Sequence, residues 1–274
     1  MTTQESQMEE LATLIEEYCS TACDEVDDRW RAWEIDLSKS EVHEVLGGLL
    51  SRQATLAIEI VSNPGIWTPH IAPVLLRAMI DAHITLKWLL LDPESRCQEY
   101  IRYGLGQIKL RIEHHKALWV EESPSEPEKR MVESLETWLE SQRIGLLTEV
   151  NVGSWSQKKV RDMAIEANES NLYNFAYTPF SAAAHSMWHH IEQYNLEHCT
   201  NPLHRFHRIP AIIDMGLEPY NAYLAAKYFD KTLVTFDAAF DLGVSPPTSF
   251  DLLNSGLRRI FDVTNGENDK TDEV

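Results

Sequence analysis

The run IAPVLLRAMIDAHITLKWLLL, residues 71–91, decides the fold. It is the most apolar segment of the chain and is long enough to cross a bilayer. Arg77, Asp81, His83 and Lys87 interrupt it, and charged groups at that spacing are expensive in lipid. It reads instead as a helix buried inside a folded protein, with apolar positions recurring at three and four residues. Outward in both directions the same spacing returns, while the alternation that marks a strand is hard to find. With 274 residues and 43% hydrophobic content, the chain can bury a sizeable core. The expectation is an all-α multi-helix bundle without a sheet, in a single domain. A helical N-terminal extension (1–62) precedes a helical core domain (63–264) that carries a polar site, and a disordered acidic C-terminal tail (265–274) follows.

Punctuation divides the helices. The first runs from about Glu5 toward Trp33, with a break near Asp24, and the second from about Ser40 to Val61. SNPGIWTP (62–69) is a loop by its Asn-Pro-Gly content. The buried helix spans about His70 to Leu91. Asp92 has the look of an N-cap with Pro93 at the first helical position, opening a helix that reaches about Val120. A fifth helix ends near Leu147, and Ser154 caps a sixth. The seventh begins with YTPFSAAAHSMWHH (177–190) and continues to about His198. Helices over Tyr220–Leu242 and Ser249–Val263 complete the set. Between them, residues 200–219 form a long irregular connection, of a length that is often functional.

The formal net charge is −19, from 43 acidic and 24 basic residues. Such a surface repels nucleic acid and anionic membranes unless basic residues cluster locally. The four cysteines (Cys19, Cys23, Cys97, Cys199) form no CxxC pair, and free thiols are the simplest account. The first ten residues, MTTQESQMEE, lack the pattern of a secretory signal. A cytoplasmic location without membrane attachment is expected.

Two polar constellations stand out. Tyr177, Ser181 and His185 fall four apart, on one helix face, with Pro179 among them. Thr178 and Pro179 resemble an N-cap and a first helical residue, so either a new helix starts there or Pro179 marks a kink where a second helical segment begins, with Ser181 in its first turn. Such a helix start suits an anion, and a histidine beside it can move protons. The alternative is that Ser181 and His185 close a buried polar gap between themselves or with a carbonyl. In the apolar helix, Arg77 and Asp81 are also four apart, with His83 two further on. Either they pair as buried ions, or Asp81 orients the guanidinium toward an anion site shared with His185.

LLRAMIDAHITLKWLLLDPESRCQEYIRYG (75–104) and WSQKKVRDMAIEANESNLYNFAYTPFSAAAH (155–185) together resemble a bacterial family catalogued only as a domain of unknown function. The resemblance rests on Arg77 and Asp81, then Trp155 and Ala164, then Tyr173, Tyr177, Ser181 and His185, with Arg102 at a position that tends to be basic. It covers residues 75–190 and implies a shared site with no established activity. A weaker resemblance is to the HEPN superfamily, many of whose members are dimeric, metal-independent endoribonucleases of toxin–antitoxin and antiviral systems. Its motif of an arginine, four to six residues and a histidine is met by Arg77 and His83, although Ala78 stands where those enzymes commonly carry a polar residue.

The candidate catalytic set is therefore His185, Arg77, Ser181, Asp81, His83 and Tyr177. Lys158, Lys159 and Arg161, with His204, Arg205, His207 and Arg208, are the candidate contacts to nucleic acid or another anion. No cofactor is expected: no GxGxxG, P-loop or GxSxG occurs. No metal site is expected either, since HExxH and paired Glu-x-x-His motifs are missing. Two functions stay open: a metal-independent ribonuclease or toxin-type effector in a bacterial defence system, and a non-catalytic module that binds an anionic small molecule or a protein partner. A homodimer fits the first.

Overall fold

The structure is a computed structural model and describes residues 3–119, 123–142, 156, 158–243 and 248–261. Helix α1 (Thr3–Ala32) leads to α2 (Ser40–Val61), α3 (Ala72–Leu89), α4 (Pro93–Leu118) and α5 (Glu126–Ser141). After α6 (Val160–Glu166) the chain continues through α7 (Ser170–Leu172), a π-turn (Tyr173–Tyr177) and α8 (Thr178–Ala184) with no interruption in the helical backbone. Then come α9 (Trp188–Tyr194), strands β1 (Leu196–His198) and β2 (Arg208–Pro210), α10 (Tyr220–Phe240) and α11 (Ser249–Phe261).

The apolar run is α3, and it is buried as its pattern requires: Leu76, Met79, Ile80, Ile84, Leu86 and Leu89 are all fully enclosed. It packs on α2 and α10, which are the other two central helices. Around them one hydrophobic cluster takes in Leu14 and Tyr18 of α1, Leu46 and Ile60 of α2, Phe229 and Phe236 of α10, and Leu257 of α11. Burying side chains of this size contributes roughly 1.5–3 kcal/mol each, which offsets the entropy of ordering the helices. No described helix is long and apolar enough to cross a membrane.

Polar ties fix the packing. Gln53 of α2 donates to the Met79 carbonyl of α3 at 2.6 Å. The buried Trp67 donates its indole N–H to Ile60 O at 2.6 Å, and its own carbonyl accepts from the Glu218 N–H at 3.0 Å. Arg29 of α1 grips Asp237 of α10 with both prongs, at 2.8 and 2.7 Å, and both residues are buried. Gly256 lets α11 approach α1 closely, because a Cβ there would collide with the Leu14 side chain.

The structure departs from the sequence expectations at several places. The seventh helix, expected to run on to about His198, is interrupted at 185–187, where Ser186 takes a left-handed conformation between α8 and α9. Helix α1 does not break near Asp24, because its buried face continues through Tyr18 and Ala22 to Arg29. A small sheet exists: β1 and β2 pair antiparallel, with Leu196 opposite Pro210 and His198 opposite Arg208. Strands of three residues carry too little alternation to be seen in sequence, and β1 replaces the last turn expected of the seventh helix. Finally, α8 does open at Thr178 and Pro179, but as a second helical segment joined to the π-turn and not as a free helix start, because Tyr177 before it is already helical. Thr178 is itself helical, and its hydroxyl donates to the Tyr173 carbonyl at 3.0 Å. The π-turn loosens the spiral directly before Pro179, where an ordinary turn would press the proline ring on the carbonyl four residues back. Asp92 does sit at the N-cap of α4, though its side chain makes no capping hydrogen bond. The fifth helix ends at Ser141 and not near Leu147, because Gln142 after it is extended. The expected cap Ser154 and the C-terminal tail lie outside the described residues.

Candidate functional site

Helix α3 and the segment α6–α8 run side by side in opposite directions, so pairs form from residue 88 back to residue 77 as the second strand of the pair advances from 166 to 181. Trp88 donates its indole N–H to Glu166 at 2.7 Å. Lys87 is hydrogen-bonded to Glu169. Arg77 donates from Nε to the Ser181 hydroxyl at 3.0 Å and from Nη2 to the Tyr177 hydroxyl at 2.8 Å.

The Arg77 cluster is built by periodicity and by one irregularity. Tyr177 closes the π-turn, and Ser181 lies four residues on, in α8. The Ser181 hydroxyl donates to the Tyr177 carbonyl at 2.7 Å, so its oxygen is left to accept from the arginine. The guanidinium also lies 4.8 Å from the centre of the Tyr177 ring, a cation–π distance, and Tyr173 stacks on Tyr177 with ring centres 5.0 Å apart. Ser181 and Tyr177 are buried, while Arg77 is half-buried. Burial and the nearby Asp81 push the Tyr177 hydroxyl pKa up, against the pull of Arg77, so it stays a protonated donor.

Arg77 has no carboxylate within ion-pair distance among the described residues. Asp81, one turn further along α3, makes neither an ion pair nor a hydrogen bond there, so the Arg77–Asp81 ion pair weighed from sequence is not formed. Burial raises the Asp81 pKa, and the Arg77 charge lowers it less. His185 is the C-cap of α8 and is exposed. Its backbone N–H donates to Ser181 O at 3.0 Å, but its imidazole makes no described contact with Arg77, Tyr177 or Ser181.

The second cluster was not visible from sequence. Glu169 is almost fully buried at 5% exposure, and Lys87, Lys231 and His83 converge on it. Lys231 Nζ lies 3.3 Å from Glu169 Oε2. His83 Nε2 is 3.5 Å from Glu169 Oε1, a contact too long to count as a hydrogen bond. The other ring nitrogen of His83 is 2.9 Å from the Thr232 hydroxyl of α10. Burial alone would raise the Glu169 pKa, but His83, Lys87 and Lys231 together hold it down at about 2. His83 is fully enclosed, and the loss of solvent drives its pKa below the ordinary value despite Glu169. It is an enclosed core residue with one ring nitrogen turned toward α10.

The basic candidates separate. Lys158 is paired with Glu166 and Arg208 with Glu192, while Lys159, Arg161, His204, Arg205 and His207 are exposed. Of the residues that carried the family resemblance, Ala164 is buried in the core and Trp155 lies outside the described residues. Lys87 was legible as a charge in an apolar run, and Glu169 extends the series 169, 173, 177, 181 backwards by one step. Lys231 had no signal, because it reaches Glu169 from a helix far along the chain.

A family model described as a family of unknown function, DUF5677, matches residues 43–201, which include the Arg77 cluster and, of the second cluster, His83, Lys87 and Glu169 but not Lys231. No curated protein and no solved structure matches the chain.

Proposed function

This chain belongs to the DUF5677 family of unknown function, and we propose that it is a binding module for a small anionic ligand, held by Arg77 with Tyr177 and Ser181. The carrying observation is the half-buried guanidinium that meets neutral oxygens and no carboxylate among the described residues. Taking a charge partly out of water costs free energy unless an opposite charge accompanies it. Two of the five N–H groups of Arg77 are spent on Ser181 and Tyr177, which fixes the plane of the fork. The remaining donors, with the Tyr177 O–H, suit a phosphate, sulfate or carboxylate group. The π-turn beneath Tyr177 adds support, since such turns are frequent at functional sites.

A cytoplasmic ribonuclease acting in defence is the second reading, and the exposed His185 at the end of α8 is what favours it. Its cost is that His83 is enclosed and faces Thr232, so the arginine–histidine pair that resembled the HEPN motif does not converge on a solvent-facing point.

Calorimetric titration with inorganic sulfate and with AMP separates the two. Saturable binding by the wild type that is lost in Arg77→Ala, with total RNA left intact in the presence of chelator, supports the binding module. RNA cleavage that survives chelator and vanishes in His185→Ala replaces it with the enzyme. No heat with either anion, together with intact RNA, overturns both. The sulfate titration also reports on Asp81. Its negative charge one turn from Arg77 opposes a bound anion, and burial raises its pKa, so sulfate affinity increases as the pH falls through a titration that lies above the ordinary aspartate range. In Asp81→Asn that dependence flattens, and the neutral-pH affinity is higher than wild type.

A further inference from the structure

We propose that Cys199, His204 and His207, in the loop between β1 and β2, bind a zinc ion with one coordination position open to solvent. The three potential ligand atoms all lie within 4.8 Å of one another. Cys199 Sγ and His204 Nδ1 are 3.7 Å apart, close to the roughly 3.5 Å that separates sulfur and nitrogen ligands on a tetrahedral zinc with bonds of about 2.3 and 2.0 Å. Closing the third ligand onto the same ion needs a movement of about an ångström.

The loop is built to hold this arrangement. The Leu196–Pro210 register sets the two strands, and the Cys199 N–H donates to the His207 carbonyl at 3.0 Å, so the first and last ligands are locked opposite each other. Two successive turns close between them: His204 N–H to Asn201 O and His207 N–H to His204 O, each at 2.9 Å. The Asn201 side-chain oxygen accepts from the Leu203 N–H at 3.0 Å, which holds the first of these turns. The tip has no core to organise it, for Leu203 and Phe206 are 89% and 87% exposed. A metal supplies the missing cross-link, as it does in small loops that cannot bury a core.

One thiolate and two imidazoles are a borderline-soft set suited to zinc, and the strongly acidic chain favours a cation near its surface. Exposure of both histidines leaves the fourth position to water or an incoming ligand. Sequence spacing alone hid the site, because Cys-x-x-x-x-His-x-x-His matches no finger pattern and the convergence depends on a sheet of three-residue strands. His204 and His207 are then metal ligands and not phosphate contacts. The proposal is independent of the anion site at Arg77.

Cobalt(II) titration of chelator-treated protein is the direct test. One equivalent should produce a thiolate-to-cobalt charge-transfer band with tetrahedral visible absorption, and zinc should displace it. Cys199→Ser should remove the charge-transfer band, and His204→Ala or His207→Ala should weaken binding at least about tenfold. The double variant Cys19→Ser/Cys23→Ser should keep the band in full. Cys97 is buried with its thiol pushed up to about 12, so it does not compete. As a second measurement, zinc should slow tryptic cleavage after the exposed Arg205 in the wild type and leave Cys199→Ser unchanged. A wild type without the band, a band that persists in Cys199→Ser, or cleavage indifferent to zinc overturns the proposal.

Discussion

At Lys87, the seam between α3 and the α6–α8 segment brings two lysines and a histidine onto one buried carboxylate, Glu169. At Arg77, near the start of the same helix, a cation meets a tyrosine and a serine hydroxyl and no acid among the described residues. Both clusters use the same pair of elements and lie among similar apolar neighbours, so the difference is in charge balance. Glu169 is compensated from inside the protein and also reaches α10 through Lys231, which makes it a staple between helices. Arg77 is oriented from inside and left to be compensated from outside. A buried charge that is fully matched reports on stability, and one that is positioned but unmatched reports on binding.

Glu169→Gln is the harshest way to test that contrast. It keeps the shape and removes the charge, leaving Lys87 and Lys231 without their shared partner, and should cost on the order of 3 kcal/mol in urea unfolding. Its pH signature has a defined sign. Glu169 is held at about 2 in the fold, below its unfolded value of about 4.3, so its stabilisation is complete above that value and fades as the pH falls toward 2. The wild type should lose stability faster than Glu169→Gln across that window, and parallel curves would remove Glu169 from its role as staple.

Arg77→Ala should act in the opposite sense. Stability drops by only about 1 kcal/mol, because the lost partners are neutral hydroxyls, while stabilisation by added sulfate disappears. A loss as large as that of Glu169→Gln would make the two clusters alike and dissolve the contrast. Ser181→Ala should cost about 1 kcal/mol, since its hydroxyl bonds both Arg77 and the Tyr177 carbonyl. His185→Ala should move the melting curve least, by no more than about 0.5 kcal/mol, because the ring is exposed. A large destabilisation there would mean that the imidazole is a core pin after all.

The helices were legible because three-and-four spacing and Pro, Gly and Asn punctuation are local signals. The bounds of α2 and the start of α10 follow them closely. Arg77, Tyr177 and Ser181 were legible for the same reason, as polar residues at helical spacing on apolar faces. What escaped depended on distant partners. Lys231 meets Glu169, and β1 meets β2, only once the chain has folded. His83 misled because a motif of two residue types counts positions along the chain and is blind to direction: the ring turns toward α10, away from solvent.

The π-turn at Tyr173–Tyr177 also keeps time for the seam. In an ordinary helix four residues advance 400°, so each step of a four-residue series slips about 40° round the axis. Over the three steps from Glu169 through Tyr173 and Tyr177 to Ser181 the slip would accumulate to about 120°, and Ser181 would drift away from α3. A wider turn in the middle step runs the clock back, because each of its residues advances by a smaller angle. The series thus holds one phase along its whole length, and Glu169 and Ser181 both face α3. Deleting the exposed Phe175 from within that turn should restore a regular spiral and still leave Tyr177 and Ser181 facing Arg77, because seven and eleven residues from Glu169 then advance about 700° and about 1100°, each within about 20° of whole turns.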